Sequence, residues 1–133
     1  MKTTFASVSY SESRLAYHIE WATKCRYNMF RFEKYKVLLE AILFDICARH
    51  GMKMLELSIM AEHVHMIVVI PPTMAVSDVL RYLRGGSAYA LFRAEPNFRL
   101  RYSRGHFWSG SKFVRTVGSD IEVAKDYVRS QSC

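Results

Sequence analysis

The sequence predicts an α+β fold, a ferredoxin-like β-α-β-β-α-β sandwich with one added C-terminal helix. Three observations lead there. Apolar residues alternate with period two near the start, two apolar strands follow one another in the middle, and helical spacing fills the stretches between and after them. There is no internal repeat, linker or low-complexity tract, so residues 1–133 are expected to form one domain. That length is sufficient for a hydrophobic core without disulfide or metal staples.

Leu15, Tyr17, Ile19 and Trp21 alternate with Ala16, His18, Glu20 and Ala22, which predicts the first strand. From Glu33 the spacing turns helical, with Val37, Leu38, Ala41, Ile42, Phe44, Ile46 and Cys47 as the apolar stripe and Gly51 as the stop. Met52 to Met60 is the second strand, Ala61-Glu62 a short break, and His63 to Ile70 the third strand. Pro71-Pro72 ends it, because proline has no N–H for the ladder.

Ser77-Asp78 opens a second helix through Leu80, Leu83, Ala88, Leu91 and Phe92, closing near Glu95-Pro96. Gly85-Gly86 is a weak point in it, where the backbone has room to approach a ligand. An irregular basic segment, Asn97 to Gly105, precedes a short strand around His106 to Phe113. Ser119-Asp120-Ile121-Glu122 is a capping-box pattern opening the last helix, and its two acidic residues complement the helix dipole.

Nineteen Lys and Arg against twelve Asp and Glu leave a net charge of +7, which suits a polyanionic partner. Tyrosines and phenylalanines lying between arginines turn that expectation toward nucleic acid. Cys25, Cys47 and Cys133 are odd in number and widely spaced, which argues against a disulfide framework or zinc ribbon and for a reducing compartment. Met1 to Ser13 has no apolar stretch of signal-peptide type, and no apolar run has membrane-spanning length. The expectation is a soluble, cytoplasmic protein with no membrane association.

His63-Val64-His65 is the most informative motif. On a strand His63 and His65 share a face while Val64 points to the other, so two imidazoles stand ready as metal ligands. A lone strand histidine is usually structural, and two imidazoles do not close a zinc site, which takes four ligands. On the last helix Tyr127 and Gln131 lie one turn apart on one face. The bland reading makes them a half-buried aromatic and a solvated amide. The chemical reading makes them a nucleophile and a hard oxygen ligand, which with the two imidazoles suits Mg²⁺ or Mn²⁺.

In order and spacing these motifs resemble the single-tyrosine HUH transposases of the insertion-sequence 200/605 class, with REP-associated tyrosine transposases as close relatives. The resemblance covers nearly the whole chain. Tyr17 to Arg26 is similar to the family's opening strand and its aromatic-x-T-K-x-R ending, and His63-Val64-His65 to its His-hydrophobic-His motif. Val76-Ser77-Asp78 through Arg84-Gly85-Gly86-Ser87 resembles its second helix, Phe107-Trp108 and Phe113 to Gly118 the stretch before its last helix, and Tyr127-Val128-Arg129-Ser130-Gln131 its Tyr-x-x-x-Gln. Glu62 stands where the family often has Asp, and Arg84-Gly85 where lysine-glycine is common.

The resemblance implies that Tyr127 is the nucleophile and that His63, His65 and Gln131 bind a divalent metal, Mg²⁺ or Mn²⁺. It implies a DNA transposase that cleaves and rejoins single-stranded DNA at hairpin-bearing element ends through a 5′-phosphotyrosine. It also implies a homodimer in which each tyrosine helix completes the partner's site. Arg81, Arg84, Arg99, Arg101 and Arg104 are candidate DNA contacts, with Lys24 and Arg26 as a second patch; Tyr82, Tyr89, Phe98 and Tyr102 among them are candidates for base stacking, although at least half of Tyr82, Tyr89 and Phe92 are expected in the core of the second helix. His18 reads as structural, His50 as a cation at a helix C-terminus, and His106 as a DNA contact.

Two readings compete. One is a domesticated relative acting on repetitive hairpins; the other is a non-catalytic ferredoxin-like module that binds single-stranded nucleic acid. A hydrolytic zinc enzyme ranks last, since no carboxylate or third histidine is evidently placed to complete the histidine pair.

Overall fold

The computed structural model describes Glu12, residues 14–118 and residues 120–131. Ser119, Cys133 and most of the polar N-terminus lie outside the described residues, and with them part of the expected capping box. In chain order the elements are β1 (Ala16–Thr23), α1 (Glu33–Arg49), β2 (Lys53–Ile59), β3 (His63–Val69), α2 (Val76–Leu80), a π-helical turn (Arg81–Gly85), α3 (Gly86–Ala94), a 3₁₀ turn (Pro96–Leu100), β4 (Trp108–Thr116) and α4 (Ile121–Ser130). The strands form one antiparallel sheet in the order β2-β3-β1-β4. This is the α+β, ferredoxin-like arrangement that the segment order predicts, with α4 added. Among the described residues no helix is long and apolar enough to cross a membrane.

Alternation along the central strands sorts the sheet into two faces. Ile19, Trp21, Val64, Met66 and Val68 point to one side, where Leu39, Leu43, Ile46 and Cys47 of α1 and Val79, Leu83, Leu91 and Phe92 of the second helical path complete the main core. On the other side Ala16, Leu55, Ile67 and Val69 meet Val117, Ala124 and Val128 in a smaller apolar patch under α4. The β2–β3 register shifts between Met54 and Glu56. This bulge turns Leu55 and Glu56 toward the same, α4-covered face.

Local details depart from the sequence reading. In α1 the buried stripe is Leu39, Leu43, Ile46 and Cys47, whereas Val37 and Ala41 are exposed. That helix is apolar on several sides, so tertiary packing rather than period chooses the face. The fourth strand runs Trp108–Thr116, beyond the expected His106 to Phe113; it is a largely exposed edge strand without clean alternation.

The second helix is interrupted by the π-helical turn. There a Cβ on Gly86 would stand 3.2 Å from Ile46 Cδ1, so glycine lets this helix pack closely on α1. The Ser87 hydroxyl donates to Arg84 O (3.1 Å) and accepts from Trp108 Nε1 (3.0 Å), securing the loosened turn. Helix α4 opens after Asp120, whose side chain makes no capping bond.

Between β1 and α1 the chain makes a strained turn, with Cys25 at φ 60° and Arg26 at φ 50°. Non-glycine residues pay for that conformation in sterics. Thr23 Oγ1 donates to Tyr27 O (2.8 Å), Lys24 N to Phe107 O (2.9 Å) and Tyr102 Oη to Lys24 O (2.8 Å), and these bonds hold it.

Candidate active site

Register places the polar side chains of the α4-covered face. Opposite His65 on β1 stands Glu20, opposite His63 stands Ala22, and on β2 Ser58 faces His65. From the edge strand Phe113 pairs with Glu20 and Arg115 with His18. His18, Glu20, His63 and His65 therefore project from neighbouring positions of one surface. Helix α4 lies over its β2 side, anchored by the Ser58 hydroxyl donating to Val128 O (2.5 Å) and by the Arg129–Glu56 ion pair (2.9 Å).

The two predicted histidines lie side by side, with ring centroids 4.8 Å apart. His65 is 2 % exposed; His63 is partly open. Glu62 binds His63 Nδ1, and since a carboxylate only accepts, that nitrogen carries the proton and Nε2 is left free for a ligand. Tyr127 sits with its ring edge toward His65 (6.0 Å) and His18 (5.7 Å), and its side is open to solvent at 49 % exposure. The amide of Gln131 donates within its own helix, to Tyr127 O (3.5 Å) and Ser130 Oγ (3.4 Å). Among the described residues no bond joins it to a histidine.

His18 and Glu20 were missed as site residues, and the expectation that neither a carboxylate nor a third histidine adjoins the pair fails. His65 Nδ1 lies 3.4 Å from His18 Nε2 and 3.4 Å from Glu20 Oε2. One ligand atom from each of the three falls within 4.8 Å of the others. The signal in the sequence was the alternation itself: His18 and Glu20 share a face of β1 as His63 and His65 share one of β3, but only the register brings those faces together.

Burial is the first cause that lowers the pKa of His18, with Arg115 adding to it and Glu20 opposing. Burial likewise lowers that of His65, against Glu20 and with the help of His63 and His18. Both imidazoles are thereby held neutral at pH 7, the form in which histidine binds a metal. Neutral imidazoles plus a carboxylate oxygen fit a divalent cation in donor chemistry.

Two cavities flank this cluster. One of about 200 Å³ is lined by Glu20, His63, Arg26, Lys112, Ser109 and Ser111. The other, about 360 Å³, is lined by His18, Glu20, Phe113, Arg115 and Tyr127. Glu20 and Phe113 border both.

The predicted DNA-binding cations separate into three places. Arg26 joins the His63 cavity. Arg81, Arg84 and Arg99 line a groove of about 680 Å³ with Lys112, His106 and the exposed Tyr89. Lys24, Arg101 and Arg104 border a third hollow. Arg84 is the most structured of them: its Nη2 donates to Ser109 O and its Nε is buried without a partner. Gly85 beside it opens onto free space, whereas Gly86 packs against Ile46. Of the aromatics, Phe98 and Tyr102 are core residues rather than stacking platforms, because the 3₁₀ turn folds them against Phe107. Tyr82 stacks on His50 at 3.8 Å, and only Tyr89 of the four is exposed.

Residues 11–131 match the protein family described as "Transposase IS200 like". The chain is 32 % identical over 125 residues to the transposase for insertion sequence element IS200 of Salmonella typhimurium, covering 94 % of this chain and 82 % of that protein. It is 30 % identical over 119 residues to the ISDra2 transposase TnpA of Deinococcus radiodurans, covering 89 % and 84 %. A crystal structure from Deinococcus radiodurans R1, assigned as a transposase, superposes with a TM-score of 0.73 at 28 % identity over 100 % of this chain and 99 % of the other. The REP-associated tyrosine transposase bound to a REP hairpin shares the fold, with a TM-score of 0.62 at 12 % identity over 97 % and 72 %.

Proposed function

The chain belongs to the IS200-like transposase family, and on that premise we propose that it cleaves and rejoins single-stranded DNA through Tyr127, with His63 and His65 holding a divalent metal. The observation that carries the proposal is the Tyr127 ring standing against His65 and His18 beside an open cavity. Gln131 is the ligand that α4 would add, once its amide turns from the Tyr127 carbonyl toward the histidines.

Attack by the Tyr127 oxygen on phosphorus expels the 3′-oxygen and leaves a 5′-phosphotyrosine. The phenol gives up its proton and the departing oxygen takes one up, so a 3′-hydroxyl is released. Phosphodiester energy is retained in the adduct, and a second 3′-hydroxyl can reverse the step and join strands without a nucleotide cofactor. A bound Mg²⁺ or Mn²⁺ would draw charge from a non-bridging phosphate oxygen. Glu62 fixes the His63 tautomer, and Arg26 and Lys112, which line the same cavity, would offer positive charge to a phosphate held there.

Hairpin DNA is the proposed substrate, in keeping with the REP hairpin held by the structural relative. The groove of Arg81, Arg84 and Arg99 beside Tyr89 offers guanidinium groups to phosphates and one exposed ring to an unpaired base. Arg101, Arg104 and Lys24 extend the basic surface. A homodimer with sites completed in trans is also proposed. Gly118, at φ 60°, joins α4 to the sheet and gives it a pivot for exchange.

Labelled hairpin-bearing single-stranded DNA with Mg²⁺ or Mn²⁺ is expected to yield a denaturant-stable protein–DNA adduct. Adduct formed by Tyr127→Phe would refute the nucleophile, and salt-sensitive binding with no adduct under any condition would favour a non-catalytic module. Mixing Tyr127→Phe with His65→Ala protein tests trans completion: regained cleavage supports it, and continued silence argues for sites completed within one chain.

A further inference from the structure

The geometry points to a metal site built wholly from the sheet, in which Glu20 and His18 of β1 join the His63–His65 pair of β3 as ligands for a divalent cation of the Mg²⁺ or Mn²⁺ class. It rests on reading this face as a metal-dependent strand-transfer site, and it makes Gln131 an added ligand rather than a required one.

Distance is the first argument. Two atoms each about 2.1 Å from one ion stand roughly 3.0–3.4 Å apart in octahedral or tetrahedral geometry. His65 Nδ1 meets both His18 Nε2 and Glu20 Oε2 at 3.4 Å, and the three ligand atoms lie within 4.8 Å of one another.

Charge is the second. Two imidazoles and an amide bring no negative charge, whereas hard cations are ordinarily held through at least one carboxylate. Glu56 on this face is committed to Arg129, and Glu62 to His63 Nδ1. Glu20 is left. Although it shares a cavity with Arg26 and Lys112, and another with Arg115, no lysine or arginine pairs with it among the described residues, and the His65 imidazole lies 3.4 Å away. A carboxylate in a basic surface that faces imidazoles instead of arginines is placed as a ligand.

Rigidity is the third. Glu20 is fixed on a central strand, register-paired with His65 on one side and Phe113 on the other. It borders both the cavity lined by Arg26 and His63 and the one lined by Tyr127. His63 stands beside His65 in the set, their rings 4.8 Å apart.

The test is a Mn²⁺ titration without DNA, followed by the loss of the free-ion electron paramagnetic resonance signal, with thermal melts verifying each variant's fold. Glu20→Gln and His65→Ala are each expected to weaken Mn²⁺ binding by about 10-fold or more, and Gln131→Ala by less than about twofold. Unchanged affinity in Glu20→Gln, a large loss in Gln131→Ala, or no Mn²⁺ binding by the parent protein overturns the proposal. Should Glu20→Gln fail to fold, Glu20→Asp replaces it: a retained site with an altered bound-Mn²⁺ spectrum supports the assignment, and an unaltered spectrum overturns it. The DNA adduct assay reads the strand-transfer proposal separately. Adduct formation with unchanged affinity in Glu20→Gln defeats only the ligand set; Mn²⁺ binding as expected with no adduct defeats only the reaction.

Discussion

The two faces of this sheet share strands but not chemistry. On β3, Val64, Met66 and Val68 lie in a continuous apolar core under α1 and the second helical path, while His63 and His65 open the other face and only Ile67 and Val69 are apolar there. One face is filled by side chains that ask only to be packed. The opposite face is divided: an apolar strip seats α4, and beside it stands the imidazole and carboxylate cluster. A rigid apolar layer beneath thus holds polar groups in fixed register above it, which a site on loops would not achieve.

Perturbing each face should separate stability from chemistry. The largest effect belongs to Tyr127→Phe, which removes one oxygen from an exposed ring: adduct formation should fall to background while the melting temperature and DNA affinity stay near parental values. A substantial loss of stability would show that the tyrosine belongs to the packing after all. Next comes Leu43→Ala on the helix-covered face, where the side chain is fully buried. About 2–5 kcal/mol of stability should be lost in denaturant titration, with Mn²⁺ affinity preserved wherever the protein remains folded.

Ser58→Ala is the intermediate case, since it cuts the hydroxyl bond to Val128 O while leaving all the imidazoles and the carboxylate of the cluster in place. A cost of about 1 kcal/mol is expected, together with faster hydrogen exchange in α4 and unchanged exchange in α1. Equal acceleration in both helices would dissolve the distinction between the faces.

The smallest effect is in pH. Burial depresses the pKa of His18 and His65 below the free value of 6.5, reinforced by Arg115 at His18 and by the neighbouring imidazoles at His65, and opposed by Glu20. As pH falls below about 6.5 the unfolded chain takes up protons that the folded chain refuses, so stability of the metal-free protein should decline there and level off above it. His18→Gln should flatten that slope, a result readable from melts in chelator. A slope of the same size in the variant would remove His18 from the account.

Much of the fold was legible because period two and helical spacing are local properties, read a few residues at a time. His63 and His65 sharing a face, and Tyr127 and Gln131 sharing another, follow from the same local rules. Glu20 was not legible. Its relation to His65 depends on which residue of β1 stands opposite, and that is fixed by the β1–β3 pairing across more than forty positions of chain. Phe98 and Tyr102 were misjudged for a related reason: a basic, irregular sequence concealed a 3₁₀ turn that folds its rings inward. The second helix follows from local spacing, but the contacts just after its π-helical turn, Gly86 on Ile46 and Ser87 to Trp108, come from residues far from it in sequence.

The bulge in β2 has a genetic consequence. Met54 pairs with Val68 and Glu56 with Ile67, so Leu55 is a supernumerary residue in the ladder. Loss of that single codon would leave every other side chain of β2 on its present face and close the ladder into regular pairing. It would also take away the one leucine that β2 contributes beneath Ala124 and Val128. The attachment of the tyrosine helix is therefore exposed to a small in-frame deletion that keeps the facing directions of β2 but removes a buried side chain beneath that helix.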